Sequence, residues 1–233
     1  MHLNEITKSS DLVYQAKIFH VTKDTAELED GKIVQRDVVH HSGGVCVVPL
    51  TERQTVLMVQ QYRYPFHEVT LEIPAGKREP GEDPLECGLR ELREEVGRTC
   101  KKYTELGYLY PTPAYDTEVI HMYLAEDLSA PMQQDLDAGE FLDVLELPLE
   151  EVVTMIMDGK IADAKPSLPF SRLGHCSRFR VKNKDSLPVL CRLSQNQKSG
   201  KRIKIWFPIK HAVHVVQPLF PLPSVPGAVG RFP

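Results

Sequence analysis

An α/β fold is what this sequence predicts, and three observations predict it. Apolar, β-branched runs recur through residues 1–165, a sharply bounded helix pattern interrupts them at Pro84–Val96, and "LDVLELPLEEVVTMIMDGK" carries a second strand-to-helix transition. With 233 residues and 42% hydrophobic content, the chain can bury one substantial core.

From the N-terminus, "KIFHVTKDTAELEDGKIVQRDVVHH" contains two β-prone runs around Asp30 and Gly31. That pair favours a tight hairpin turn, because glycine accepts a positive φ without steric penalty. "GGVCVVPL" and "TVLMVQQYRY" are flanked by turn residues and read as buried strands, and "LEIPAG" as a short extended stretch closed by proline and glycine. Pro84–Val96 reads as a helix, since Pro84 suits a first turn and Gly97 a stop. "YTELGYLYPTP" and "EVIHMYLAEDL" read as two strands around a proline-rich turn, and the last strand runs into a helix ending near Gly159.

Charge divides the chain in two. Residues 1–165 carry 16 of the 28 Lys and Arg but 31 of the 32 Asp and Glu, whereas residues 166–233 carry 12 basic residues against Asp185 alone, with nine of the 18 prolines. Pro166 and Pro169 oppose a continuous helix, and no apolar period of 3.6 shows after Lys165. Residues 166–233 are therefore expected to form a basic, proline-rich, poorly ordered tail, with a frame change or fusion as one origin. A nucleic-acid partner for it would be opposed by the acidic body. No apolar run is long enough to span a bilayer and "MHLNEITKSSDLVYQ" lacks the layout of a signal peptide, so a cytoplasmic protein without membrane contact is expected. Cys46, Cys87, Cys100, Cys176 and Cys191 are odd in number and form no C-x-x-C pair, which favours reduced structural thiols.

The segment "GKREPGEDPLECGLRELREEVG" crowds seven carboxylates into 22 residues. On a helical wheel Leu85, Leu89, Leu92 and Val96 share an arc expected to face the core, while Glu91, Glu94 and Glu95 gather on a face directed away from those leucines, toward solvent. Like charges one turn apart repel unless a cation neutralises them. Mg²⁺ suits carboxylate oxygens and keeps other coordination positions for water and phosphate.

The same segment resembles the Nudix box, G-x5-E-x7-R-E-U-x-E-E-x-G-U with U aliphatic. Gly76, Glu82, Arg90, Glu91, Leu92, Glu94, Glu95 and Gly97 stand at the required places, and only Arg98 departs from the final U. Within that family "QQYR" at 60–63, "EIPAG" at 72–76 and Pro113, 16 residues beyond Gly97, are similar to ADP-ribose pyrophosphatases over roughly residues 11–165.

The resemblance implies a Nudix fold, mixed β-sheets sandwiched by helices, with an N-terminal β-hairpin. The layout it suggests is a hairpin segment at 1–42 that helps form a homodimer with shared active sites, a Nudix hydrolase domain at 43–165, and the tail at 166–233. It implies that Glu91, Glu95 and the carbonyl of Ala75 bind Mg²⁺, or Mn²⁺ in its place, and that Glu94 binds or bridges a further ion. Arg90 and Glu82 would orient the helix and loop. Glu140 would act on the attacking water, with Asp137 as the alternative. Arg63 and Arg36 would contact phosphate or ribose, near Pro113. Phe19 could stack on adenine but reads more simply as core, and His40 and His41 as strand-end residues. The expected activity is hydrolysis of a nucleoside diphosphate linked to a second moiety, ADP-ribose giving AMP and ribose 5-phosphate. Nucleotide-sugar hydrolysis is the alternative, and a non-catalytic ADP-ribose sensor is disfavoured by the intact box glutamates.

Overall fold

The computed structural model describes residues 2–173. In chain order the strands are β1 Ile6–Gln15, β2 Phe19–Glu27, β3 Ile33–His41, β4 Gly44–Pro49, β5 Thr55–Arg63, β6 Glu68–Glu72 and β7 Ala75–Lys77. Helix α1 Pro84–Val96 follows, then β8 Cys100–Leu109, β9 Ile120–Leu128, β10 Leu142–Pro148, α2 Leu149–Met157 and α3 Ala164–Leu173.

Three sheets result. The N-terminal sheet runs β1-β2-β3, the second β10-β5-β6, and the third β7-β4-β9-β8, with β4 and β9 parallel. The predicted hairpin is β2–β3, where Gly31 takes a φ of 81° and the Leu28 N–H donates to the Lys32 carbonyl at 2.8 Å. Strand β1 was not foreseen. It is exposed at every position, so "ITKSSDLVYQ" has no buried face to impose an alternating pattern.

The core lies on both faces of β4, β5 and β9, which explains the continuous apolar runs of β4 and β5. Val45, Val47, Leu57, Val59, Tyr123 and Ala125 join Leu92 and Val96 of α1 in one cluster. The alternate residues Cys46, Val48, Val56, Met58, Met122 and Leu124 join Leu149 and Val152 of α2 and Phe170 and Leu173 of α3 in the other. Helices thus cover the sheet layers from two sides.

Two expectations need correction. Helix α3 continues past Lys165, and its buried residues Pro166, Pro169, Phe170 and Leu173 fall at i, i+3, i+4 and i+7. The helical period was therefore present, with proline rings as two of its apolar members. Pro166 sits in the first turn, where a missing N–H costs nothing, and burial of the Pro169 ring helps to offset the hydrogen bond it cannot make. The boundary drawn at Lys165 consequently falls inside a helix that packs on the core; the rest of the expected tail, 174–233, lies outside the described residues.

The faces of α1 also differ from the helical-wheel reading. Leu92 and Val96 are buried as expected, but Leu85 is 45% exposed, while Glu91 and Glu95 are buried at 8% and 3% exposure. The helix lies across β7, so its inward surface takes in the acidic arc together with Cys87 and Gly88. No helix among the described residues is long and apolar enough to cross a membrane.

Candidate active site

Helix α1 is held at both ends by its own sequence. Asp83 accepts from the Leu85 N–H at 2.8 Å, and Gly97, with a φ of 63°, donates to the Arg93 carbonyl at 3.0 Å. Arg90 then ties the preceding loop to the helix. Its Nε donates to Glu82 Oε1 at 2.8 Å, and its Nη1 to Glu91 Oε1 at 2.7 Å and Glu94 Oε2 at 2.9 Å. At the foot of this arrangement the Ala75 N–H donates to Glu95 Oε2 at 3.0 Å. Gly76 is needed for close approach, since a Cβ there would overlap the Glu91 carboxylate.

The two inner carboxylates are poorly compensated. Burial pushes the Glu91 carboxyl up to about 7 despite Arg90, with Glu94 and Glu140 adding repulsion. Glu95 is pushed up to about 8 by burial and then by the charges of Glu91 and Glu140, against the weaker pull of the Ala75 N–H and Arg63. Among the described residues no cation forms an ion pair with Glu95.

The loop following β9 docks on the end of α1 through bonds to its backbone carbonyls. Met132 N–H donates to the Gly97 carbonyl at 2.9 Å, Asp135 N–H to the Glu94 carbonyl at 3.0 Å, and Gln134 Nε2 to the Glu95 carbonyl at 2.5 Å. That docking brings Glu140 close enough for its charge to act on both glutamates. Glu140 is half-buried, accepts from Gln61 Nε2 at 3.3 Å and from the Asp137 N–H at 3.3 Å, whereas Asp137 is exposed.

A cleft of about 350 Å³ opens beside Ala75 and Gly76, and Arg63, Glu118, Asp163 and Lys165 contribute to its walls. Arg63 is clamped by Glu72, with Nε to Oε1 and Nη2 to Oε2 both at 2.7 Å. Lys165 Nζ reaches Glu72 Oε2 at 2.9 Å and Asp163 Oδ2 at 3.0 Å. Burial alone would raise the Glu72 carboxyl, but Arg63 foremost, with Lys165 and Thr70, holds it down to about 2.

Of the residues singled out from sequence, Ala75 and Arg63 line this cleft, Glu95 and Glu91 sit against Ala75 and Gly76, and Glu94 and Glu140 lie close enough for their charges to act on that pair. Arg36 does not join them. It lies exposed on β3, with its guanidinium committed to Glu5 at 2.8 and 3.0 Å. Pro113 sits on an exposed turn, and Pro111 lines the cleft instead. Phe19 is half-buried in β2 and packs against Tyr14 with ring centroids 6.1 Å apart. His40 stacks on His20, whereas His41, although at a strand end, faces the cleft 3.5 Å from Glu118. Sequence reading passed over Glu72, Asp163 and Lys165. The first lies inside "EIPAG" and the other two inside "DGKIADAK", but nothing local shows that the two motifs meet.

Among the described residues no three acidic, histidine or cysteine side chains already form a ligating array, and Arg90 Nη1 bridges Glu91 and Glu94. The donor chemistry still fits a hard divalent cation. All the available ligands are oxygens, and Glu95 is a buried carboxylate with a second one beside it and no counter-ion.

Two buried carboxylates on one helix, set against a strand whose residues line a cleft, suit a hydrolase, and residues 40–168 match the NUDIX domain. The chain belongs to the Nudix family and is a Nudix pyrophosphohydrolase; such hydrolases generally use a divalent metal ion. It is 37% identical over 164 residues to an ADP-ribose pyrophosphatase of Bacillus subtilis (strain 168), covering 70% of this chain and 89% of that protein. It is also 37% identical to a Bacillus methanolicus protein called methanol dehydrogenase activator, over 69% of this chain and 88% of the other. A GDP-mannose pyrophosphatase of Yersinia enterocolitica serotype O:8 is 34% identical over 63% of this chain and 83% of its own. A crystal structure of an ADP compounds hydrolase superposes with a TM-score of 0.65 at 21% identity, covering 74% of this chain and 94% of that one, a likeness of fold.

Proposed function

We propose that the protein hydrolyses the pyrophosphate bond of ADP-ribose, releasing AMP and ribose 5-phosphate, with Mg²⁺ as its metal and Mn²⁺ as a substitute. The observation that carries this reading is the pair Glu91 and Glu95, buried together without full compensation beside Glu140. Glu91, Glu94, Glu95 and the Ala75 carbonyl would hold the metal. When bound, it neutralises pyrophosphate charge and polarises the phosphorus–oxygen bond that breaks.

The chain's own groups do the rest. Glu140, steadied by Gln61 and the Asp137 N–H, accepts the proton of the attacking water and aligns it. Arg63, anchored by Glu72, presents its guanidinium to a phosphate or ribose in the cleft. Arg90 and Glu82 keep strand β7 and the loop that follows it against the helix. The buried free thiols of Cys46 and Cys87 suit a reducing cytoplasm.

A panel of ADP-ribose and nucleotide sugars, assayed with Mg²⁺ for released phosphomonoester, tests the substrate. ADP-ribose should give the highest kcat/KM. Preference for GDP-mannose would move the assignment to nucleotide sugars, a reading favoured by the Yersinia relative. Binding of ADP-ribose without turnover would make the protein a sensor.

We also infer a homodimer formed through the N-terminal sheet, where Ile6, Leu12, Val13 and Tyr14 of β1 leave apolar side chains exposed. In that assembly Arg36 would serve the partner's cleft. Sedimentation showing a fully active monomer at assay concentration would remove this reading.

A further inference from the structure

Charged groups from three separate parts of the chain meet in the wall of the cleft, Glu72 behind it and Arg63, Asp163 and Lys165 lining it. Glu72, at the end of β6 and 2% exposed, accepts hydrogen bonds from Arg63 of β5, from Thr70 Oγ1 at 2.6 Å, and from Lys165 in the first turn of α3. Lys165 is itself shared with Asp163, whose Oδ1 accepts the Lys165 N–H at 3.2 Å. Two cations and two carboxylates therefore balance in a largely buried group.

The geometry at Arg63 gives that balance a use. Its Nε and Nη2 edge is taken by Glu72, so the Nη1 side of the planar fork is left for the cleft that Arg63 lines. Were Lys165 lost, one guanidinium would face both Glu72 and Asp163, whose charge already reaches Arg63. The guanidinium would then be drawn out of its present position to serve Asp163 in the cleft wall as well as Glu72 behind it.

We propose that Lys165 is a positioning residue for Arg63, acting through Glu72, so that helix α3 sets the substrate-binding geometry of the cleft. This rests on the reading of Arg63 as a substrate contact. A contact made equally in ground and transition states moves KM and leaves kcat. Disturbing its position should do the same.

The test is steady-state kinetics of the full chain with ADP-ribose and Mg²⁺. Lys165→Met should raise KM about tenfold with kcat changed by no more than about twofold, and Lys165→Arg should bring KM back to within about threefold. Arg63→Gln should raise KM at least as far, and adding Lys165→Met to it should change KM no further, because the route through Arg63 is already gone. If Lys165→Met multiplies KM by the same factor in the Arg63→Gln background, Lys165 acts independently and the proposal fails while the role of Arg63 stands. If Lys165→Met lowers the melting temperature without moving KM, the lysine only supports the fold and the proposal fails. An unchanged KM in Arg63→Gln would overturn the reading of Arg63 and this proposal with it. Should Lys165→Met not fold, Lys165→Gln, which keeps a donor but no charge, is judged by the same outcomes.

Discussion

Glu72 and Glu95 are equally buried, at 2% and 3% exposure, but one is ringed by donors and the other faces a second carboxylate. Arg63, Lys165 and Thr70 complete the shell of Glu72 and hold its carboxyl down to about 2. Around Glu95 burial foremost, and then the charges of Glu91 and Glu140, outweigh one backbone N–H and the distant pull of Arg63, and the carboxyl rises to about 8. A balanced buried ion cluster needs nothing from outside and serves as scaffold. An unbalanced one is unfavourable until a cation arrives, so a deficit of positive charge marks where chemistry takes place.

The strongest way to break this contrast is to remove the deficit. Glu95→Gln should lower activity by about 10²- to 10³-fold, on the scale of losing other electrostatic groups at reacting centres. The same variant should melt no lower than wild type without metal, since Gln keeps an acceptor for the Ala75 N–H and carries no charge for burial to penalise, and Mg²⁺ should no longer raise its melting temperature. Near-normal turnover at saturating Mg²⁺ would end the assignment of Glu95 as a ligand.

The balanced cluster should declare itself in acid. Its folded carboxyl lies below the ordinary 4.5, so the stability it contributes is complete above that value and is lost as pH falls from about 4.5 through about 2. The loss amounts to roughly 3 kcal/mol, and urea titrations of wild type should lose it across that window while Glu72→Gln shows a flatter profile. An identical acid slope in both proteins would show that Glu72 is not held as described.

Glu140 adds its charge to the unbalanced cluster. Glu140→Gln should reduce kcat by about 10²-fold with Mg²⁺ binding largely retained, as expected when a group that acts on water is disabled. Asp137→Asn, at an exposed position, should do much less. The reverse order would transfer the role to Asp137.

The smallest effect sharpens the account of α1. Leu85 is 45% exposed, so Leu85→Ala should change stability by no more than about 0.5 kcal/mol. Leu92 is fully buried in the cluster with Val96, and Leu92→Ala should cost about 2–5 kcal/mol in the same thermal or urea measurement.

Much of this was readable beforehand because it depends on neighbours in sequence. The ends of α1, the turn at Gly31, the two-sided strands and the spacing of the box glutamates each rest on local backbone preference or on periodicity. Helix α3 was readable in principle and was missed by treating proline only as a helix breaker, when Pro166 and Pro169 also count as apolar residues at helical spacing. Strand β1 carried too little pattern, because an exposed strand has no face to keep apolar.

What the sequence determined by itself was the set of clustered carboxylates, their helical spacing and the acidic character of the body. Only the tertiary structure decided that Glu91 and Glu95 lie buried, that Glu140 comes beside them through a loop docked on backbone carbonyls, and that Glu72 is shared by Arg63 and Lys165. The reason is physical: a charge's behaviour depends on the solvent and counter-charges around it, and those neighbours come from segments 20 to more than 90 positions apart. Spacing along a chain shows which groups share a helix face. Packing decides whether that face meets water, a partner, or another charge of the same sign.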